Sequence, residues 1–183
     1  MDRIITTDRL RLRPIEARDA EAIHAYACDR SITMMMFLPN ETLEETRRFV
    51  DTAVQQWTRS EPVDREYVVE WDGRIIGGVN LERCESTSDY EIGWLIRADC
   101  RGRGFATEAA AALIACAFGS LRAERVIAHC DARNAPSERV MQKLGMRLVS
   151  RDGTRCYPKT GVTAGESMYA VTRAEYEARN ASE

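Results

Sequence analysis

The spacing of hydrophobic and polar positions changes several times along the chain, between two and about 3.6 residues, which predicts mixed α and β structure. Arg9-Leu10-Arg11-Leu12-Arg13 alternates residue by residue until Pro14 ends the pattern, giving a first strand with one buried face. Residues 19–28 read as a short helix with Ile23, Tyr26 and Ala27 inward. Thr42-x-x-Glu45 is a capping-box signature, and behind it Leu43, Phe49, Val50, Ala53, Val54 and Trp57 recur at helical spacing to about Arg59. Residues 66–71 and 74–81 flank Asp72-Gly73, a dipeptide that supplies the positive φ angles of a tight hairpin. A strand over 90–96 follows, then a loop centred on Gly102 and Gly104, an alanine-rich helix over 107–118 and a strand over 125–131. Asn134 caps a further helix, with Pro136 in its first turn and Gly145 as its stop. Strands near 146–150 and 167–171 and a helix opened by Thr172-x-x-Glu175 complete the series. Early hairpin pairing followed by strand–helix units indicates an α+β (mixed α/β) fold, and 183 residues without a linker or repeat suit one domain.

Charge narrows the function classes. The chain has 26 Lys and Arg against 29 Asp and Glu, a net charge of −3, whereas a protein living on nucleic-acid phosphates carries a basic excess. No nucleic-acid partner is expected. The longest uncharged run, residues 109–121, falls far short of the roughly 20 apolar residues of a membrane span, so no membrane partner is expected. The start, Met1-Asp2-Arg3, leads into no signal-peptide core, and the six cysteines include no C-x-x-C pair. They read as reduced thiols of a cytoplasmic protein, with no metal site.

The stretch with chemical content is Arg101-Gly102-Arg103-Gly104-Phe105-Ala106, between a strand and a helix. Glycines let the backbone approach a ligand closely, and the unpaired N–H groups of a helix start attract an anion. It is not a Walker A loop, since no Gly-Lys-Ser/Thr follows, nor a Rossmann fingerprint, since Thr107 stands at the third glycine position. Taken alone, it is equally a strand-to-helix turn with two glycines.

Arg101, Gly104 and Ala106 followed by Thr107-Glu108-Ala109 resemble the acetyl-CoA pyrophosphate loop of the GNAT superfamily of N-acetyltransferases. Thr6-Thr7-Asp8-Arg9-Leu10-Arg11-Leu12-Arg13-Pro14 resembles the opening of its Rim-type (ribosomal-protein-alanine acetyltransferase-like) branch. Arg74-Ile75-Ile76-Gly77-Gly78, Glu91-Ile92-Gly93-Trp94-Leu95, Asn134-x-x-Ser137 with Lys143-Leu144-Gly145-Met146, and the tail from Tyr169 to Tyr176 are similar to that branch in order and spacing. The likeness spans roughly residues 5–178.

That resemblance implies a GNAT fold, with a mostly antiparallel sheet of about seven strands splayed at a cofactor slot. It also implies acetyl-CoA as co-substrate and an amine as acceptor, with direct attack in a ternary complex. Homodimers are common among such relatives, so a homodimer is an implied assembly. Carried over by position, the backbone of Arg101, Gly102, Arg103, Gly104, Phe105, Ala106 and Thr107 would hold the pyrophosphate, with the two arginines adding charge. The pantetheine arm would pair with backbone around 92–96, and an N–H near Trp94 or Leu95 would polarise the thioester carbonyl. Asn134 would bond the pantetheine amide and Ser137 would face the departing thiolate. As bare sequence, Asn134 is a helix cap and Ser137 a first-turn polar residue. Glu91 is the candidate general base, equally readable as a polar-face strand residue. His129 reads as a packed strand histidine, His24 as a solvated one, Cys130 as structural, and residues 34–38 as core or the lip of an acceptor groove.

The proton bounds the acceptor. A lysine-like amine of pKa about 10.4 is only ~0.04% neutral at pH 7, a deficit of about 4.6 kcal/mol, whereas an α-amine of pKa about 8 lacks only about 1.4 kcal/mol. A site without a strong base therefore suits α-amines better, which leans toward peptide or protein N-termini or amino-acid-like amines; the alternative acceptor is a small amine such as a polyamine, an amino acid or an antibiotic. Two rivals stand beside this reading: a non-catalytic acyl-CoA-binding module and an ordinary nucleotide-phosphate binder. Amine-dependent CoA release separates the first, and preferential stabilisation by ATP the second.

Overall fold

The computed structural model describes residues 3–30, 35–36, 39–85 and 87–181. Met34, Phe37 and Leu38, within the segment expected to form core or groove lip, lie outside the described residues; Met35 and Met36 are half-buried. Among the described residues one sheet of eight strands organises the fold: β1 (Ile5–Thr6), β2 (Arg11–Pro14), β3 (Asp64–Trp71), β4 (Arg74–Arg83), β5 (Asp89–Ile96), β6 (Arg125–Asp131), β7 (Arg147–Cys156) and β8 (Thr163–Thr172), in the order β1-β2-β3-β4-β5-β6-β8-β7. Every neighbouring pair is antiparallel except β5 and β6. The eighth strand, beyond the seven expected, is the two-residue β1. Among the described residues five α-helices accompany the sheet: α1 (Ala20–Ala27), α2 (Leu43–Trp57), α3 (Phe105–Gly119), α4 (Ala135–Lys143) and α5 (Arg173–Asn180).

Local chemistry accounts for most of these boundaries. Asp72 and Gly73, with φ of 50° and 71°, make the β3–β4 turn. Thr42 and Thr172 accept from the N–H of Glu45 and Glu175, and both glutamates return the bond, so α2 and α5 open on complete capping boxes. α3 begins two residues earlier than the apolar spacing suggests, because Gly104 already adopts a left-handed conformation at φ 83° and releases the chain into the helix.

Residues 151–166 differ from expectation. Gly153, Pro158, Gly161 and Gly165 suggest a departure from a compact hairpin, yet β7 and β8 pair from Arg147↔Ala170 to Cys156↔Thr163. The irregularity is taken up by register shifts between Leu148 and Ser150 and between Ser150 and Gly153, while Pro158 and Gly161 fall in the turn.

Alternation along the strands sorts the sheet into two faces. Gly78, Asn80 and Glu82 of β4 oppose Leu95, Gly93 and Glu91 of β5, and a side chain at Gly78 would lie 3.6 Å from the Tyr26 hydroxyl of α1. Glu91 therefore shares the α1 face, and Ile92, Trp94 and Ile96 point to the opposite one. The core is continuous, from Leu12, Val69 and Val79 to Leu113, Ala117 and Val126, all 0% exposed. His24, expected to be solvated, is half-buried, and its Nδ1 lies 2.9 Å from the hydroxyl of the fully buried Thr46, joining α1 to α2.

Candidate active site

Strands β5 and β6 run side by side only through Asp89↔Arg125, Tyr90↔Val126 and Glu91↔Ile127. Beyond Glu91 they part, although β5 stays paired to β4 as far as Ile96. The gap opens into a cleft of about 840 Å³.

The hydrogen-bond phase of the β4–β5 ladder decides which backbone groups face the gap. Cys84 N–H donates to Asp89 O at one end (3.0 Å), and Arg97 N–H donates to Ile76 O at the other (2.9 Å). Antiparallel partners alternate between bonded and non-bonded pairs, so Glu91, Gly93 and Leu95 turn their N–H and C=O toward β4. Ile92, Trp94 and Ile96 turn theirs toward the cleft. Of the two N–H groups singled out in sequence, Trp94's faces the gap, while Leu95's belongs to the pairing with Gly78. The Ile96 carbonyl accepts from Arg101 Nε at 3.2 Å, tying the loop to the strand end.

At the cleft's end lies the start of α3. Helices α2, α4 and α5 have side-chain caps from Thr42, Asn134 and Thr172, but Gly104 offers none to α3. The first intrahelical bond is Glu108 N–H to Gly104 O (3.0 Å), so the N–H groups of Phe105, Ala106 and Thr107 precede it. Their free hydrogens and the helix dipole favour an anion. Gly102, with φ 75°, gives the loop its second left-handed turn. Arg101, Gly102, Gly104, Phe105, Ala106 and Thr107 all line the cleft. Arg103 does not; its guanidinium lies over the Trp71 ring, 4.3 Å from the centroid. Arg139 and Lys143, four residues apart on α4, add positive charge to the lining; Lys143 entered the sequence reading only within a motif and Arg139 not at all, although their spacing puts them on one helix face.

On the far wall, Asn134 Oδ1 accepts from Ser137 N–H at 3.2 Å, and both residues line the cleft. The cap thus uses the amide oxygen and leaves the amide N–H₂ available. Just before it, the fully buried Asp131 accepts from Tyr157 OH at 2.6 Å and from the backbone and guanidinium of Arg133. The Arg133 hydrogen bonds hold the Asp131 carboxyl well below the usual range against the opposing effect of burial. This knot fixes the chain between β6 and α4 and fastens it to the β7–β8 turn.

Glu91 does not line the cleft itself. Its carboxylate Oε1 lies 2.9 Å from Nδ1 of His129, which does. The Glu91 hydrogen bond raises the His129 pKa above its ordinary value, opposed by partial desolvation and by Arg155, and aided by Glu166. The histidine set aside in sequence is thereby joined to the carboxylate chosen there. On the same face stand Asp64, Glu66 and Glu82, with Glu66 lining the cleft. Burial pushes all three carboxyls upward, against the hydrogen bonds to Asn80 and Arg65 at Asp64, and repulsion from neighbouring carboxylates adds to it at Glu66 and Glu82. Cys130 is buried, with its thiol pushed up to about 11 by desolvation, and so is not poised as a nucleophile.

The cleft thus joins an anion seat, a free strand edge and a carboxylate–imidazole pair. A sequence model of the family described as "Acetyltransferase (GNAT) domain" matches residues 9–147. The uncharacterized N-acetyltransferase YnaD of Bacillus subtilis (strain 168) is 32% identical over 176 residues, covering 94% of this chain and 98% of that protein. The crystal structure of a GNAT-family acetyltransferase from Bacillus anthracis is similar at 30% identity and a TM-score of 0.78, over 93% of this chain and 99% of that one. Spermidine N-acetyltransferase from Vibrio cholerae, solved with CoA and spermine, shares the fold at 20% identity and a TM-score of 0.78, over 93% of this chain and 99% of the other.

Proposed function

The chain belongs to the GNAT family of acetyltransferases, and from that premise we propose that it transfers the acetyl group of acetyl-CoA to the α-amine of a peptide or protein N-terminus, as a single-domain cytoplasmic enzyme of the Rim-type branch. The observation that carries this reading is the parting of β5 from β6 beyond Glu91 and Ile127, next to a helix start without a side-chain cap. Free strand-edge groups suit a pantetheine amide chain, and the seat at the start of α3 suits a pyrophosphate.

Acetyl-CoA supplies an activated thioester whose thiol, of pKa about 8.5, leaves with little protonation. The N–H groups of Phe105, Ala106 and Thr107 hold the pyrophosphate, with the Gly102 and Gly104 backbone shaping the loop and Arg101, Arg139 and Lys143 adding charge. Trp94 N–H serves the thioester carbonyl. Leu95 contributes side-chain lining, and Arg103 acts from outside the cleft. The Asn134 amide N–H₂ donates to the pantetheine arm, and the Ser137 hydroxyl donates to the departing sulfur. Glu91 orients His129, whose Nε2 accepts the amine proton. Raising the imidazole pKa moves the base toward the range of an α-amine, whose proton is also the easier to remove, which favours the α-amine acceptor over a lysine-like one.

A second reading of the acceptor rests on Asp64, Glu66 and Glu82. Three carboxylates on the acceptor face favour an acceptor with a further positive charge, such as a polyamine. Binding tests the donor assignment. CoA at a hundred times its dissociation constant stabilises the protein by about 2.7 kcal/mol. The Gly104→Glu variant, which puts a side chain and a negative charge at the seat, should lose that thermal shift while remaining folded. A full shift in the variant would refute the loop assignment.

A further inference from the structure

The opening Thr7-Asp8-Arg9 segment has no role in the chemistry above, yet it makes the most concentrated contact with the anion loop. Glu108, in the first turn of α3, accepts at Oε1 from Thr7 Oγ1 (2.6 Å) and Arg9 N–H (3.0 Å), and at Oε2 from Arg9 Nε (2.7 Å), with Arg9 Nη2 at 2.5 Å from the same Oε2. The remaining guanidinium nitrogen of Arg9, Nη1, donates to the Arg103 carbonyl at 3.0 Å, and the guanidinium lies over the Phe105 ring, 4.7 Å from its centroid. A side chain at Gly104 would meet Arg9 Nη2 at 3.4 Å. Burial alone would raise the Glu108 carboxyl, but the bonds from Thr7 and Arg9 hold it below its ordinary value, as a carboxylate.

A carboxylate one turn into a helix that receives an anion would repel that anion. We propose that Arg9 is a positioning residue for the pyrophosphate loop, neutralising Glu108 through two nitrogens while its third fixes the Arg103 carbonyl. Lysine has no planar fork and cannot make these three contacts at once. Thr7 completes the clamp by donating to Glu108 while accepting from Leu10 N–H at 3.0 Å. The inference rests on the CoA-binding reading.

Neighbouring Arg11 provides a matched control. It pairs with Glu70 at 2.6 Å, with side-chain exposures of 48% and 18%, against 46% and 17% for Arg9 and Glu108. The test is the dissociation constant of CoA by titration calorimetry, with apo melting temperature as the check on folding, followed by steady-state kinetics. Arg9→Ala should weaken CoA about tenfold, within the range of a charge at a helix start, and leave kcat and the amine KM within about twofold. Arg9→Lys should weaken it less, and Arg9→Ala with Glu108→Gln should recover at least about half of the loss on a logarithmic scale, because the exposed charge is gone. Arg11→Ala should bind as wild type does. Tight CoA binding by wild type that Arg9→Ala leaves unchanged, or that Arg11→Ala weakens equally, overturns the clamp alone. So does a loss that appears in kcat, or one that the double variant does not relieve. Absence of CoA binding by wild type overturns the functional reading and the clamp together.

Discussion

In the proposed reading Glu91 and His129 act as a pair held by one hydrogen bond, so pH profiles are needed to separate their roles. The carboxylate favours the imidazolium, with Glu166 assisting and Arg155 opposing. A base must be neutral to accept a proton, so the acid limb of the rate profile should lie above the ordinary imidazole value of about 6.5. Glu91→Gln should move that limb to lower pH while reducing kcat/KM at its plateau, and His129→Gln should remove the limb and cost about 10²–10⁴-fold. The double variant should be little worse than His129→Gln, since residues acting as a unit are not additive. Profiles on an α-amine and on a lysine-like amine check this, and the lysine-like amine should regain more rate at high pH. The same pair has a stability signature. A folded pKa above the unfolded one stabilises the protein fully below about pH 6.5, and that contribution disappears as pH rises through the folded value.

At the scale of elements, α4 separates a structural duty from a chemical one. Asn134→Ala should cost about 1 kcal/mol of stability through the lost cap and also weaken CoA binding, whereas Ser137→Ala should lower kcat more than it weakens CoA. Thermal melts beside kcat and Kd distinguish them, and equal, purely structural losses in both variants would leave capping as the whole role. The cap itself was legible in sequence, as were the capping boxes at Thr42 and Thr172 and the Asp72-Gly73 turn, because each depends on residues within a few positions. Contacts across the fold were not. Glu91 reaches His129 across 38 residues and Arg9 reaches Glu108 across 99, distances over which hydrophobic spacing carries no information. The length of the β7–β8 hairpin was hidden for another reason: its outer parts, residues 151–156 and 163–166, bury no side chain, so they lack the apolar alternation by which a strand is read.

For the whole molecule, the decisive feature is a sheet that is continuous on one side of β5 and open on the other. The closed side fixes the strand through a ladder that runs to Ile96, and the open side turns the backbone groups of Ile92 and Trp94 toward the cleft. The anion seat lies at one end of the gap, while the acidic residues and His129 occupy the face shared with α1, so donor and acceptor can meet without competing for space. This arrangement needs no covalent enzyme intermediate, in keeping with a buried Cys130 whose thiol is pushed up in pKa. In the proposed reading catalysis consists of holding two substrates together and moving one proton. The most direct test is release of free CoA from acetyl-CoA, measured with peptide N-termini, lysine-like amines and polyamines, alongside mass analysis of the amine. The account predicts CoA release only when an amine is present, one acetyl group gained per CoA freed, and loss of both in Gly104→Glu. Binding of acetyl-CoA with no amine-dependent release across the panel would contradict it.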